Sequence, residues 1–126
     1  MKDQIISFST AKLAKECRFD IIQRYGSESS LYNKKGEHTY YVNYGFMYSG
    51  LSDGYISAPT QSLLQKWLRE VHNKQVEISL IYDKYSVEVF PISQIKVKTL
   101  FSYYTKFDTY EEALEQGLVQ ALKLLK

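Results

Sequence analysis

Val76-Glu77-Ile78-Ser79-Leu80-Ile81-Tyr82-Asp83-Lys84-Tyr85-Ser86-Val87-Glu88-Val89 is the stretch on which the fold turns. Val76, Ile78, Leu80 and Tyr82 alternate with Glu77 and Ser79; Tyr85, Val87 and Val89 alternate with Ser86 and Glu88. A period of two puts each apolar set on one face of a strand. Asp83-Lys84 falls between the two runs and reverses the chain, so the pattern predicts an antiparallel hairpin. Pro91 has no amide hydrogen for a sheet ladder and either ends the second strand or places it at an edge.

Helical periodicity appears on both sides of this hairpin. Upstream, Ser57-Ala58-Pro59-Thr60 opens a helix in which Leu63, Leu64, Trp67, Leu68 and Val71 share one face. Gln61, Gln65, Lys66, Arg69, Glu70 and His72 take the other side, and Asn73 is the stop. His72 reads as a positive charge placed favourably at the helix C-terminus. Downstream, Asp108 or Thr109 is followed three residues later by Glu111 or Glu112, the spacing of a capping box. Tyr110, Ala113, Leu114, Gly117, Leu118, Ala121, Leu122 and Leu125 then keep to one helical face. Gly117 costs about 1 kcal/mol of helix propensity against Ala, and its place on that face predicts a close approach to the sheet.

Farther out, Ser9 or Thr10 caps a short helix over Ala11–Cys17, and residues 26–37 read as a polar loop. Tyr40, Val42, Tyr44, Phe46 and Tyr48 alternate with Tyr41, Asn43, Gly45, Met47 and Ser49 as a half-buried strand. Gly50 to Gly54 turns the chain, Tyr55-Ile56 makes a short return strand, and Ile95, Val97, Thr99 and Phe101 suggest one more. The expected fold is α+β: an antiparallel sheet of about four or five strands packed by amphipathic helices over about 60–73 and 109–126, plus a short N-terminal helix.

The chain has 126 residues, 44% apolar and 24% charged, a balance that fits a single globular domain over 1–126. It excludes a multidomain enzyme, a collagen-like or coiled-coil fibre and a disulfide scaffold. With one cysteine, Cys17, no internal disulfide is available, which suits a reducing compartment. No stretch has the apolar length of a signal peptide core or a membrane span, so a cytoplasmic location is expected. The net charge of +2 is too small to demand a polyanionic partner. Twelve tyrosines, against six Phe and one Trp, are the compositional outlier. Tyr40, Tyr44 and Tyr48 fall on one strand face, and Tyr82 and Tyr110 are assigned to strand and helix cores.

Chemical signals are sparse. Gly50-Leu51-Ser52-Asp53-Gly54 matches the letters of a nucleophile elbow, but no helix follows it directly, so it reads as a turn. Gly45 and Gly50 have phosphate-loop spacing without its lysine. His38, His72 and Cys17 have no metal-ligand spacing, and Glu111-Glu112 is explained by capping. Cys17, flanked by Lys15 and Arg18, lies on the first helix's apolar stripe and reads as a buried structural thiol. A polar pocket collecting His38, Cys17 or Asp53 would be needed to revive an enzyme. No cofactor or metal is expected.

Two surfaces stand as candidates. One is the polar face of the central helix, with Gln61, Gln65, Lys66 and Arg69, for a protein partner or a homodimer. The other is an aromatic and basic sheet surface, with Tyr41, Lys96, Lys98, Tyr103 and Tyr104, for single-stranded nucleic acid.

Three stretches carry a resemblance: Ile6 to Glu16, Ser57-Ala58-Pro59-Thr60-Gln61-Ser62-Leu63-Leu64-Gln65-Lys66-Trp67-Leu68-Arg69-Glu70 with its continuation to Asn73, and Tyr110 to Leu124. Together the chain resembles a family of small uncharacterised proteins of Bacteroidetes genomes, often encoded in prophages and other mobile elements. The resemblance implies a context, an accessory protein of a phage or integrated element, and brings no functional residues with it. The expected function is non-enzymatic: binding a protein partner or self-associating, with weak single-stranded nucleic-acid binding as the alternative.

Overall fold

Val76 faces Val89 and Ile78 faces Val87 in a computed structural model that describes residues 4–19, 28–42, 56–91 and 101–125. The hairpin forms as the period-two pattern predicts. The elements in chain order are α1 (Phe8–Glu16), β1 (Glu28–Tyr32), β2 (His38–Val42), β3 (Ile56–Ser57), α2 (Gln61–His72), β4 (Lys74–Ile81), β5 (Lys84–Pro91), β6 (Phe101–Phe107) and α3 (Tyr110–Lys123). The fold is α+β. Its described strands form two three-stranded antiparallel sheets, in the orders β2-β1-β3 and β4-β5-β6. The chain divides into two compact units: residues 5–60, and residues 61–126 with the first four.

In the larger unit, α2 and α3 pack on the β4-β5-β6 sheet and against each other. Leu64, Trp67 and Leu68 from α2, Val76, Val87 and Val89 from the sheet, and Ala113, Leu114, Leu118, Ala121 and Leu122 from α3 are buried. Both helical stripes therefore pack inward along most of their length, but Val71, expected on the α2 stripe, is 40% exposed in the last turn. Thr109 is the N-cap of α3: its Oγ1 accepts from Glu112 N at 3.1 Å and lies 3.2 Å from Glu112 Oε1. Of the expected pairs, Thr109 and Glu112 are the one that meets, with the Glu112 carboxylate on the Thr109 hydroxyl. A Cβ on Gly117 would lie 2.6 Å from both Val76 Cγ1 and Val87 Cγ2, so the helix backbone does come down onto the sheet there. Asn73 stops α2 in the left-handed region, at φ 54°.

The hairpin departs from its pattern at the far end. Val76 is buried and Ile78 half-buried, but Leu80 is 59% exposed and Tyr82 95%. Tyr82 is no core residue. It sits in the turn, beside Asp83, because Ile81 pairs directly with Lys84. The period runs on into the turn, and there is no helix left to cover it. Tyr110, also assigned to the core, is 42% exposed at the first position of α3. Of the strand expected from Ile95, Val97, Thr99 and Phe101, the first three residues lie outside the described residues and Phe101 opens β6, which runs to Phe107.

In the smaller unit, α1 starts earlier than expected: Ser7, not Ser9 or Thr10, is the cap, accepting from Thr10 N at 3.2 Å, and Thr10 is buried. α1 ends with Arg18 at φ 70°, the left-handed place that glycine usually takes after a helix. The supposed loop over 26–37 contains a strand, β1, paired with both β2 and β3. Among the described residues of that span, 33–37 form the turn. There Asn33 Oδ1 accepts from Lys35 N at 2.9 Å and Glu37 N at 3.0 Å, doing the work of a backbone turn. Ile6, Ala11, Ala14, Phe19, Leu31, Ile56 and Ala58 are buried.

Candidate functional site

Gln61 begins α2 and was expected on its polar face. Instead it is 3% exposed. Its Nε2 donates to the Glu111 carbonyl and to Glu115 Oε1, both at 2.9 Å, joining α2 to α3. Gln65 Nε2 donates to the Val76 carbonyl at 2.7 Å, joining α2 to the outer strand β4. Carbonyl oxygens can only accept, so each amide must present its nitrogen there. Lys66 and Arg69 remain exposed. The predicted surface therefore splits into two inward amides and two outward cations.

The two glutamines line a cleft of about 640 Å³ in the larger unit, together with Gln4, Ser62, Tyr85, Asp108, Thr109, Tyr110, Glu111 and Leu114. Lys84 pairs with Asp108 and ties the hairpin to the residue before the α3 cap. The hydrogen bond and charge of Asp108 raise the Lys84 pKa above its ordinary value. Next to Lys84, the Tyr85 ring stands perpendicular to that of Tyr110, with centroids 6.1 Å apart. The cleft gathers neither Cys17 nor His38, and Asp53 lies outside the described residues.

Beside the cleft is the hairpin tip. Leu80 pairs with Tyr85 across the strands, so the exposed run Leu80-Ile81-Tyr82 continues from one wall of the cleft. Tyr82 holds φ 59°, a conformation that costs a non-glycine residue about 1–2 kcal/mol. A large ring held in solvent on strained backbone is the feature the period-two reading missed. The missing Gly or Asn at the turn was its only trace in the sequence.

The aromatic and basic candidates fare unevenly. Lys96 and Lys98 lie outside the described residues. Tyr41 belongs to β2 and Tyr104 to β6. Tyr103, also on β6, has Lys106 Nζ over its ring at 4.1 Å and Phe107 edge-on at 6.0 Å. A break in the β5–β6 register lies here: Tyr85 faces Phe107 and Val87 faces Tyr103, which leaves extra residues on the β6 side. Lys106 was not among the expected residues.

The remaining titratable groups have structural settings. His72 stands edge-on to Trp67 at 4.6 Å, with its Nε2 buried and without a partner among the described residues. Burial, and then the charge of Lys74, push its pKa below the ordinary 6.5. The expected imidazolium at the helix end is therefore disfavoured. Lys74 takes that place, donating to the His72 carbonyl at 3.3 Å. Cys17 is half-buried at the α1 C-cap, not fully buried. His38 is exposed and bonded to Ser30 Oγ. Among the described residues no group of three His, Cys, Asp or Glu could hold a metal ion, and no helix is long and apolar enough to cross a membrane.

No family model matches the chain, and no curated protein or solved structure is found to be similar to it.

Proposed function

We propose that the chain is a non-enzymatic accessory protein that binds a protein partner, or a second copy of itself, through the tip of the β4–β5 hairpin. The carrying observation is the unbroken exposed run Leu80-Ile81-Tyr82, with its aromatic residue in the left-handed region. Leu80 and Ile81 point to opposite faces of β4, so the tip exposes apolar surface on both sides of the hairpin, and tyrosine is a preferred interface anchor. The two-residue turn demands a positive φ at this position, and a tyrosine there, in place of Gly or Asn, accepts the strain. On the polar face of α2, Lys66 and Arg69 are exposed. Its glutamines are engaged inside. The resemblance to mobile-element proteins supports an accessory role in a phage or integrated element, and the single cysteine suits the cytoplasm.

A second reading, weak single-stranded nucleic-acid binding on β6, draws on Lys106 over Tyr103. One experiment separates the two. The wild-type chain and a Leu80→Thr/Ile81→Thr variant are compared in sedimentation equilibrium and as immobilised baits, each with a fluorescent oligonucleotide titrated in parallel. Partner capture or self-association that falls by about tenfold or more in the variant supports the tip. A salt-labile oligonucleotide complex that the variant keeps and Lys106→Ala loses favours β6.

A further inference from the structure

The outer strand of the β4-β5-β6 sheet is β4, and its register shows which backbone groups face outward. Ile81 and Lys84 flank a two-residue turn, so they exchange both hydrogen bonds, and such pairs recur at Ser79–Ser86 and Glu77–Glu88. The residues between them, Val76, Ile78 and Leu80, turn their N–H and C=O groups away from β5. The Val76 carbonyl agrees with this parity, because it accepts from Gln65 Nε2 of α2. Ile78 and Leu80 have no such cover: among the described residues nothing bonds their backbone on the outer side. An open edge is ordinarily blunted by a charge, a proline or a bulge. Ile78-Ser79-Leu80-Ile81 has neither charge nor proline, and its pairing with β5 is unbroken. The edge is closed at Val76 and bare from Ile78 to the turn.

We propose that this bare edge pairs with the same edge of a second copy of the chain, antiparallel about a two-fold axis at Ser79. A two-fold contact must be self-complementary, residue i meeting residue j and the reverse. With the axis at Ser79, Ile78 of each copy lies opposite Leu80 of the other. Each such pair exchanges two hydrogen bonds, so four bonds use every outward N–H and C=O of Ile78 and Leu80. The next outward position, Val76, falls opposite Tyr82 of the second copy, and its carbonyl already has Gln65. An axis at Ile78 would instead set Leu80 against the carbonyl that Gln65 holds. One at Leu80 would set Ile78 against Tyr82, a turn residue. The side chains fit the Ser79 axis as well. Glu77 lies opposite Ile81, so no like charges meet, and the exposed Leu80 gains Ile78 as its cross-strand neighbour. A net charge of +2 sets little repulsion between copies. This pairing rests on the hairpin tip as the binding surface and names a second copy as its occupant.

The test is oxidative cross-linking of the full chain, with Cys17→Ser in every variant so that only the introduced thiol is present. The two Ser79 residues form a pair without mutual hydrogen bonds, with Cα atoms about 4.5 Å apart, within disulfide reach. Ser79→Cys should therefore give mostly covalent dimer in a glutathione redox buffer. Glu77→Cys is also exposed on the same strand face. Four residues of register, about 13 Å, separate it from its own copy, so it should stay mostly monomeric. Comparable cross-linking at both positions, or none at Ser79, overturns the pairing. Sedimentation equilibrium of charge variants gives a second readout. Ser79→Lys and Ser79→Glu, each opposite itself, should weaken self-association by up to about fivefold, and an equimolar mixture should regain at least the wild-type affinity. A mixture no better than either variant alone overturns the pairing. The tip is tested apart by Leu80→Thr/Ile81→Thr. If that variant loses capture of a different protein while the Ser79 variants behave as wild type, the tip stands and the paired edges fall. If neither set changes association, both fall.

Discussion

Gln61 lies three residues before Leu64 and seven before Leu68, so it shares the buried side of α2, and its burial was legible from spacing alone. Its polarity concealed it. A glutamine on that face must find acceptors, and those it finds, Glu111 and Glu115, come from a helix fifty residues later in the chain, which no local pattern shows. His72 was misleading for the same reason: a helix-end position suggests a charge, but Trp67 and burial decide its state. The folded chain holds the His72 pKa below 6.5, so below that pH the unfolded chain takes up a proton that the folded chain refuses. The corresponding stability is whole above about pH 6.5 and declines as the pH falls through the folded value. Urea unfolding followed from about pH 7.5 to pH 5 should show a steeper loss in wild type than in His72→Gln. Equal slopes would refute this assignment.

Elements with a wide apolar stripe or a reciprocal cap were the ones the sequence specified well. α2 and α3 have both the stripe and a recognisable stop or start, and the β4–β5 hairpin has its alternation. β1 was missed because Glu28-Ser29-Ser30-Leu31-Tyr32 has a single aliphatic residue, Leu31, so alternation had nothing to count. Its strand character comes from pairing on both sides, a property of partners distant in the chain. Gly117 shows the two levels agreeing. Alanine there would gain about 1 kcal/mol of helix propensity. Its methyl would meet two valine methyls at 2.6 Å, and β-branched side chains have little rotamer freedom to withdraw. Overpacking of this kind costs about 1–3 kcal/mol. Gly117→Ala should therefore destabilise the protein by about 1 kcal/mol net in chemical denaturation. A stabilised variant would mean that α3 does not approach the sheet as described.

At the scale of the molecule, Tyr44 and Tyr48 of the expected aromatic strand face lie outside the described residues, and the tyrosines whose side chains are described divide between local contacts and exposure. Tyr103 has its own lysine over its ring, Tyr85 and Tyr110 stand in the cleft, and Tyr82, once assigned to the core, is the most exposed of the large apolar side chains described. A net charge of +2 gives little long-range steering, so recognition falls to a local surface. The surface proposed for that role is the hairpin tip. Its exposure and strain together separate a binding role from a folding role. Glycine at position 82 relieves the left-handed strain, offset in part by the added freedom of the unfolded chain, and no packed contact is lost. The most direct measurement is therefore Tyr82→Gly, with unfolding free energy and partner or self-association followed on the same samples. The expected result is stability unchanged or raised by up to about 1 kcal/mol, with association weakened by about tenfold or more; a variant that associates like wild type, or that loses stability, would contradict the assignment of the tip as the binding surface.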